Sequence, residues 1–285
     1  YGTIPYMPFP QKWIKRFEAV LKANEDFGLV GLLEGWRGFF PSIISEIAKK
    51  CYFDRNSDFD ENIRFVLRSH FDKHADTVYK ALDLWSEASD YIHSTYDNQY
   101  GPLRVGTAYP FCLLTDIKSP FASPWYDSYH KVPPSLFQSL YSIRDGVDTM
   151  HWRKMADLMK EGADILKSIE NPSEELVLLE NLGRYIHHCT MTVVNIQRWH
   201  KARELIQTAT EQDEVRKLVA ELRAVGADER QNALDSIECL RKDSRLGFDP
   251  IDAYVGGEEA VLWKIKYLDF VLKSEVTRYE VEIEL

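Results

Sequence analysis

Cysteine is scarce in this chain. Four residues in 285, Cys51, Cys112, Cys189 and Cys239, lie far apart with no Cys-x-x-Cys pair. That spacing disfavours a cysteine zinc site. It points to buried thiols in a reducing compartment, with one disulfide as the alternative, and the expected location is cytoplasmic. Basic excess is lacking too: 35 Lys and Arg face 45 Asp and Glu, a net charge of −10. No surplus exists to neutralise phosphates, which argues against nucleic acid or an anionic membrane as partner. No apolar run approaches the roughly 20 residues of a membrane span. Gly-rich phosphate loops, a Gly-x-Ser-x-Gly elbow and a Walker-type lysine are all missing. Glu-x-x-His pairs on helices, the mark of a metal site in a bundle core, are missing as well. No cofactor is expected. The opening Tyr1-Gly2-Thr3 carries neither an initiator Met nor a signal-like apolar stretch, so the chain reads as processed or as an excerpt of something longer.

What is present is ordinary globular material, 45% hydrophobic and 28% charged. A chain of this length can hide roughly 75% of its unfolded surface, enough for one large domain or two small ones. Pro5, Pro8 and Pro10 keep Thr3–Pro8 extended. A helix follows from Gln11, with Trp13, Phe17, Val20 and Leu21 on one face, and Asn24 and Gly28 supply its stop. Gly28–Glu34 is a continuous apolar run bounded by glycines, which predicts a strand buried on both faces. Gly35–Pro41 makes a loop, and Ser42 caps a helix over Ile43–Lys50 with Glu46 near its start. This β/α grammar fits the closing end of a TIM-type barrel, or a small sheet edge packed on helices.

Beyond residue 50 the pattern is helical. Asp58 or Asp60 caps a helix through Ile63 and Leu67. Val78, Leu82, Trp85, Ser89 and Ile92 mark a long amphipathic one. Residues 94–134 form a long connection rich in Pro, Gly, Ser and aromatics. Helices resume over Ser135–Arg144 and Asp148–Ile169. Ser173 to about Ala209 is the strongest periodic stretch, with Leu179, Leu182, Ile186, Cys189, Val193 and Ile196 as its seam. Partner helices over Gln212–Lys242 and Glu258 to about Glu282 complete an antiparallel bundle or array. The expected fold is thus mainly α, with residues 1–52 as terminal βα units of a barrel and 53–285 as an α-helical domain carrying a strap at 94–134.

Four groups of residues suggest chemistry. Glu34 ends the expected strand before Gly35-Trp36-Arg37, where a barrel places its active-site mouth. A carboxylate beside an indole suits a sugar, since the acid bonds hydroxyls and the ring packs on the apolar pyranose face. The plain alternative is a Glu34–Arg37 pair with Trp36 in the core. The strap is the second group. Its aromatic surface is costly to leave in water. Either it covers helix ends with Arg104 paired to a carboxylate, or it reaches the mouth, where Asp97, Asn98, Gln99 and Arg104 offer polar contacts and Tyr100 a stacking platform. Third, His70 and His74 share a helix face at ligand spacing, but Phe71 occupies the glutamate position of the zinc-protease pattern. They read as solvated residues near a helix C-terminus; His187 and His188 read as surface and boundary residues. Fourth, Asp243 and Arg245 form a structural ion pair in a helix stop closed by Gly247.

Ile4–Pro8 before a helix, Gly31-Leu32-Leu33-Glu34-Gly35-Trp36, and Phe40-Pro41-Ser42 resemble the end of the barrel in a bacterial glycoside-hydrolase-like group, broadly similar to β-hexosaminidase-type barrels. Members continue into an α-helical C-terminal region. Leu84–Ala88, the strap from Asp97 through Arg104 to Pro110, Asp243–Phe248 and Trp263-Lys264-Ile265 resemble that region. The resemblance implies the C-terminal portion of a carbohydrate-active enzyme whose paired catalytic acids lie upstream of Tyr1. Glu34 is the one in-chain catalytic candidate. Glu34, Trp36, Arg37, Asp97, Gln99, Tyr100 and Arg104 are the substrate-binding set, carbohydrate is the partner, and a homo-oligomer is compatible. The alternative is a non-catalytic helical scaffold that binds another protein.

Overall fold

Helix starts in this chain are written in its capping residues. Ser42 Oγ accepts a hydrogen bond from the Ser45 N–H, and Ser45 Oγ accepts one from the Ser42 N–H, a reciprocal box that opens α2 (Ile43–Phe53). Asp58 caps α3 (Phe59–Phe71) through the Asp60 N–H at 2.8 Å. Ser173 caps the long helix α6 (Glu174–Thr208) through the Leu176 N–H at 3.3 Å. The computed structural model describes residues 3–31, 41–54, 58–92, 105–113, 145–248 and 255–284. Among these no residue is in a strand.

Pro10 begins α1 (Pro10–Phe27), and Gly28 ends it in the left-handed region at φ 67°, donating its N–H to Asn24 O at 2.9 Å. After a 3₁₀ turn come α4 (Ala75–Ala88) and, further along, α5 (Asp145–Lys167). Then follow α6 (Glu174–Thr208), α7 (Gln212–Lys242) and α8 (Glu258–Phe270). A π-helical turn at Val271–Val276 leads into α9 (Thr277–Glu284). The helices pack in the order α4, α5, α6, α7, α8, with α1, α2 and α3 against one another and α1 and α3 against α4. Three residues link α6, 35 residues long, to α7, so the two must run antiparallel to stay in contact. Phe17, Ile43, Ile47 and Phe59 belong to one continuous core with the seam of α6.

All six expected seam residues of α6 are buried, but so are Tyr185, Thr190, Thr192, Asn195, Trp199 and His200 on its other faces. A helix buried nearly all round is the centre of the array. The π turn has an identifiable support. Gly226 on α7 faces Leu272 so closely that a Cβ there would stand 2.9 Å from its methyls. The Leu272 carbonyl, freed from the α-helical ladder, accepts from Thr277 Oγ1 at 3.2 Å and Arg223 Nη1 at 3.4 Å.

The expected strand over Gly28–Glu34 needs correction where it is described. Residues 28–31 are irregular, and Val30 is 93% exposed, the opposite of burial on both faces. The left-handed turn at Gly28 and the bond from Asn24 Nδ2 to Leu29 O at 2.6 Å turn the chain back over the end of α1. Residues 32–34, and the helix expected over 135–144, lie outside the described residues.

Candidate functional site

Four short stretches far apart in sequence meet beside α6, where α7 ends and α8 begins: Thr3–Ile4, Val105–Cys112, Asp243–Gly247 and the turn Val255–Gly257. The Thr3 carbonyl accepts from the Gly247 N–H at 2.9 Å, and the Gly247 carbonyl accepts from the Gly256 N–H at 2.9 Å. A Cβ at Gly256 would stand 2.5 Å from Thr3 Cγ2 and 2.6 Å from the Val105 carbonyl. Gly106, at φ 69°, sits so close to α6 that a Cβ there would meet Tyr185 Oη at 2.7 Å and Thr3 Oγ1 at 2.8 Å. Only glycine allows this backbone shape and this approach together. Asp243, nearly buried, receives a forked pair from Arg245, with Nη2 to Oδ2 at 2.7 Å and Nε to Oδ1 at 2.9 Å. The ion pair expected at the helix stop is present.

Val105–Cys112 enters the core rather than lying over helix ends; Thr107, Ala108, Tyr109 and Phe111 are all buried. A chain threaded through a core has backbone groups that need partners. Side chains supply them. Trp199 donates its indole N–H to the Cys112 carbonyl at 2.9 Å, and its ring meets Phe111 edge-on. Lys264 donates to the Thr107 carbonyl at 3.1 Å, and Ser236 donates to the Thr107 hydroxyl at 2.7 Å.

Lys264 is paired in turn with Glu229, and both side chains are 0% exposed. Glu229 is held by Thr192 Oγ1 at 2.8 Å and Asn195 Nδ2 at 2.9 Å. Asn232 donates to the His188 carbonyl at 3.0 Å and accepts from His188 Nδ1 at 2.8 Å, which ties the next turn to the same cluster. The Lys264 ammonium also lies 5.3 Å from the centre of the Phe111 ring. Burial pushes the Lys264 ammonium below its ordinary lysine value, against the opposing pull of Glu229. The same burial pushes the Cys189 thiol up to about 12, and Tyr185 well above the usual phenol value. The thiol and phenol are therefore protonated and unreactive near neutral pH. This cluster binds chain to chain; it is closed to a substrate.

All seven residues of the expected sugar site, Glu34, Trp36, Arg37, Asp97, Gln99, Tyr100 and Arg104, lie outside the described residues, as does Asn98. The described stretch nearest to them is the buried Val105–Cys112, which follows Arg104 directly. Tyr109 and Phe111 are buried within it; the strap's other aromatic residues lie outside the described residues. All four cysteines are buried and free, as the composition suggested. His70 lies at the end of α3 beside Glu175, with Nδ1 3.0 Å from a carboxylate oxygen, and His74 falls in the 3₁₀ turn beyond. Among the described residues no group of three His, Cys, Asp or Glu could hold a metal ion. No helix there is long and apolar enough to cross a membrane. His187 is half-buried, at the boundary as expected, with Nδ1 2.8 Å from the Ala156 carbonyl, whereas His188 is buried. The breadth of the buried surface of α6 is what moves His188 inside.

The Glu229–Lys264 pair went unread in the sequence, although a signal exists. Lys264 falls in the stripe Val261, Lys264, Ile265, Leu268, and Glu229 in the stripe Leu222, Val225, Gly226, Glu229, Ala233. One charge of each sign in the apolar stripe of successive helices is the pattern of a buried pair. No family model matches the chain, and neither a curated protein nor a solved structure does.

Proposed function

We propose that this chain is the C-terminal portion of a carbohydrate-active enzyme acting on glycosidic bonds. In it the helical array supports a sugar subsite formed by Glu34, Trp36 and Arg37 with Asp97, Gln99, Tyr100 and Arg104. One observation carries the reading: four of the motifs on which the resemblance rests pack against one another. Ile4 and its neighbour Thr3, Val105–Pro110, Asp243–Gly247 and Lys264 are joined by direct hydrogen bonds or by the glycine contacts that seat them. On the reading proposed, these stretches are parts of one design. In that design an acid protonates the leaving oxygen, and a second group meets the oxocarbenium-like centre. Glu34 is the in-chain candidate for a hydroxyl contact or the acid, and Trp36 for the apolar face of the ring.

The test is hydrolysis of p-nitrophenyl N-acetyl-β-D-glucosaminide and binding of chitotriose, by this chain and by any longer form of it. Glu34→Gln is expected to weaken binding or slow turnover by at least tenfold. Unchanged turnover and affinity in that variant would remove Glu34 from the site.

A second reading, a scaffold that binds another protein, is favoured by one feature. Phe27, Val30 and Phe53 are 86%, 93% and 88% exposed, around a hollow lined by Phe17, Val20, Leu21 and Tyr52. On that reading the chain binds no sugar, and Phe53→Ser abolishes association with the partner.

A further inference from the structure

We infer that the buried Glu229–Lys264 pair is a positioning device: it sets the register in which Val105–Cys112 threads the core. The inference stands independently of the sugar-site reading above.

The argument begins with what such a pair is worth. Two whole charges at 0% exposure have lost their hydration, and an apolar pair of similar volume is often as stabilising. Stability alone is therefore a weak reason for the pair, whereas fixing one arrangement among several is its best-attested use. The alternative arrangements are easy to name. Val105–Cys112 has little regular secondary structure, only a 3₁₀ turn at Gly106–Ala108 closed by the Tyr109 N–H on the Gly106 carbonyl at 3.2 Å. A one-residue slip of this segment would keep most of its apolar burial.

Two features forbid the slip. Gly106 does so by shape, because a Cβ at its place would stand 2.7 Å from Tyr185 Oη, so neither Val105 nor Thr107 can replace it there. Lys264 does so by valence. Its ammonium is committed to Glu229 and to one carbonyl, that of Thr107, with the Phe111 ring over a further side. The neighbouring Thr107 hydroxyl is taken by Ser236. Glu229 cannot follow a shifted lysine, since Thr192 and Asn195 hold its two oxygens from α6. The pair is thus an arm of fixed length from α6 and α7 through α8 to one backbone oxygen of the threaded segment.

The experiment is hydrogen exchange, read by mass spectrometry on peptides covering 105–113 and, as control, 182–196. It is run on this chain and on Glu229→Gln/Lys264→Met. The double variant leaves no buried charge. Its new amide can be met by Asn195, whose Oδ1 has no hydrogen-bond partner and which needs only to turn its amide over. The expected result is exchange at 105–113 faster by about tenfold or more, with the control peptides and the urea midpoint little changed, the mark of local rather than global opening. A merely structural pair would move both peptides together, or neither, and either outcome overturns the inference. Should the double variant fail to fold, Thr192→Val removes one tether of Glu229 and leaves the charge pair whole. Exchange at 105–113 several-fold faster supports the inference, and unchanged exchange overturns it. Unaltered exchange in both variants refutes the anchor.

Discussion

Replacing Gly183 by alanine should destabilise this protein, although alanine is the better helix former by about 1 kcal/mol. Trp85 of α4 lies fully buried between α5 and α6, flat against two glycines. A Cβ at Gly183 would stand 2.2 Å from Trp85 Cζ2, and one at Gly162 would stand 2.2 Å from its Nε1. Ordinary contact begins near 3.4 Å, so ring or helix must yield by 3.4 less 2.2, or 1.2 Å. The ring has little freedom to shift, because Gly162 packs against its neighbouring Nε1 and Cδ1 atoms and Nε1 donates to the Met159 carbonyl at 2.9 Å. Overpacking of this kind costs about 1–3 kcal/mol. Loss of the buried indole bond adds roughly 1–3 kcal/mol. Set against the helix gain, the net loss is about 1–5 kcal/mol, measured by urea unfolding followed by far-UV circular dichroism. The decisive comparison is the same change in a Trp85→Leu background. There the methyl enters freed space, and Gly183→Ala should be neutral or stabilising by up to about 1 kcal/mol. A Gly183→Ala protein as stable as the parent would refute the close packing argued here.

Three further outcomes are expected. Lys264→Met alone strands the Glu229 charge in the core and should cost roughly 3–5 kcal/mol of unfolding free energy, far more than the paired double variant. Gly106→Ala should be comparably damaging and should not be rescued by Tyr185→Phe alone, because the positive φ and Thr3 Oγ1 still oppose the methyl; a thermal melt of the two variants decides this. Stability should also fall in acid through buried histidines. Burial lowers His187 to about 4, and burial with the nearby Arg203 lowers His200 to about 3. Both stay neutral in the folded chain while the unfolded chain takes up protons below about 6.5. Stability is therefore complete above that pH and is lost as pH falls through 4 and 3, by at most about 1.4 kcal/mol per pH unit for each histidine. Urea midpoints that do not decline between pH 6.5 and 4.5 would contradict it.

The helices themselves were legible because their signals are local. Ser42, Asp58 and Ser173 announce starts, and Gly28 announces a stop. The seam from Leu179 to Ile196 gives both the helix and its inward face. The same local reading misplaced Gly28–Gly31, since a glycine-bounded apolar run looks alike whether it enters a sheet or leaves a helix and lies exposed. It also left the buried His188 at the surface or boundary of α6, because periodicity shows one buried face and cannot tell how many neighbours a helix has. The π turn at Val271–Val276 has no sequence mark of its own. It depends on Gly226 and Arg223 of another helix.

Alone, the order of residues determined a mainly helical chain, where most helices begin and end, the burial of the four thiols, and the Asp243–Arg245 lock at the close of α7. Each follows from neighbours within a few positions along the backbone. Only the tertiary structure decided that Thr3, Gly106, Gly247 and Gly256 share one place, and that Trp85 needs two glycines opposite it. It alone decided that Glu229 and Lys264 pair beside the threaded segment. Such contacts join positions up to hundreds of residues apart, and what selects them is the shape and hydrogen-bonding capacity left over when the helices have packed.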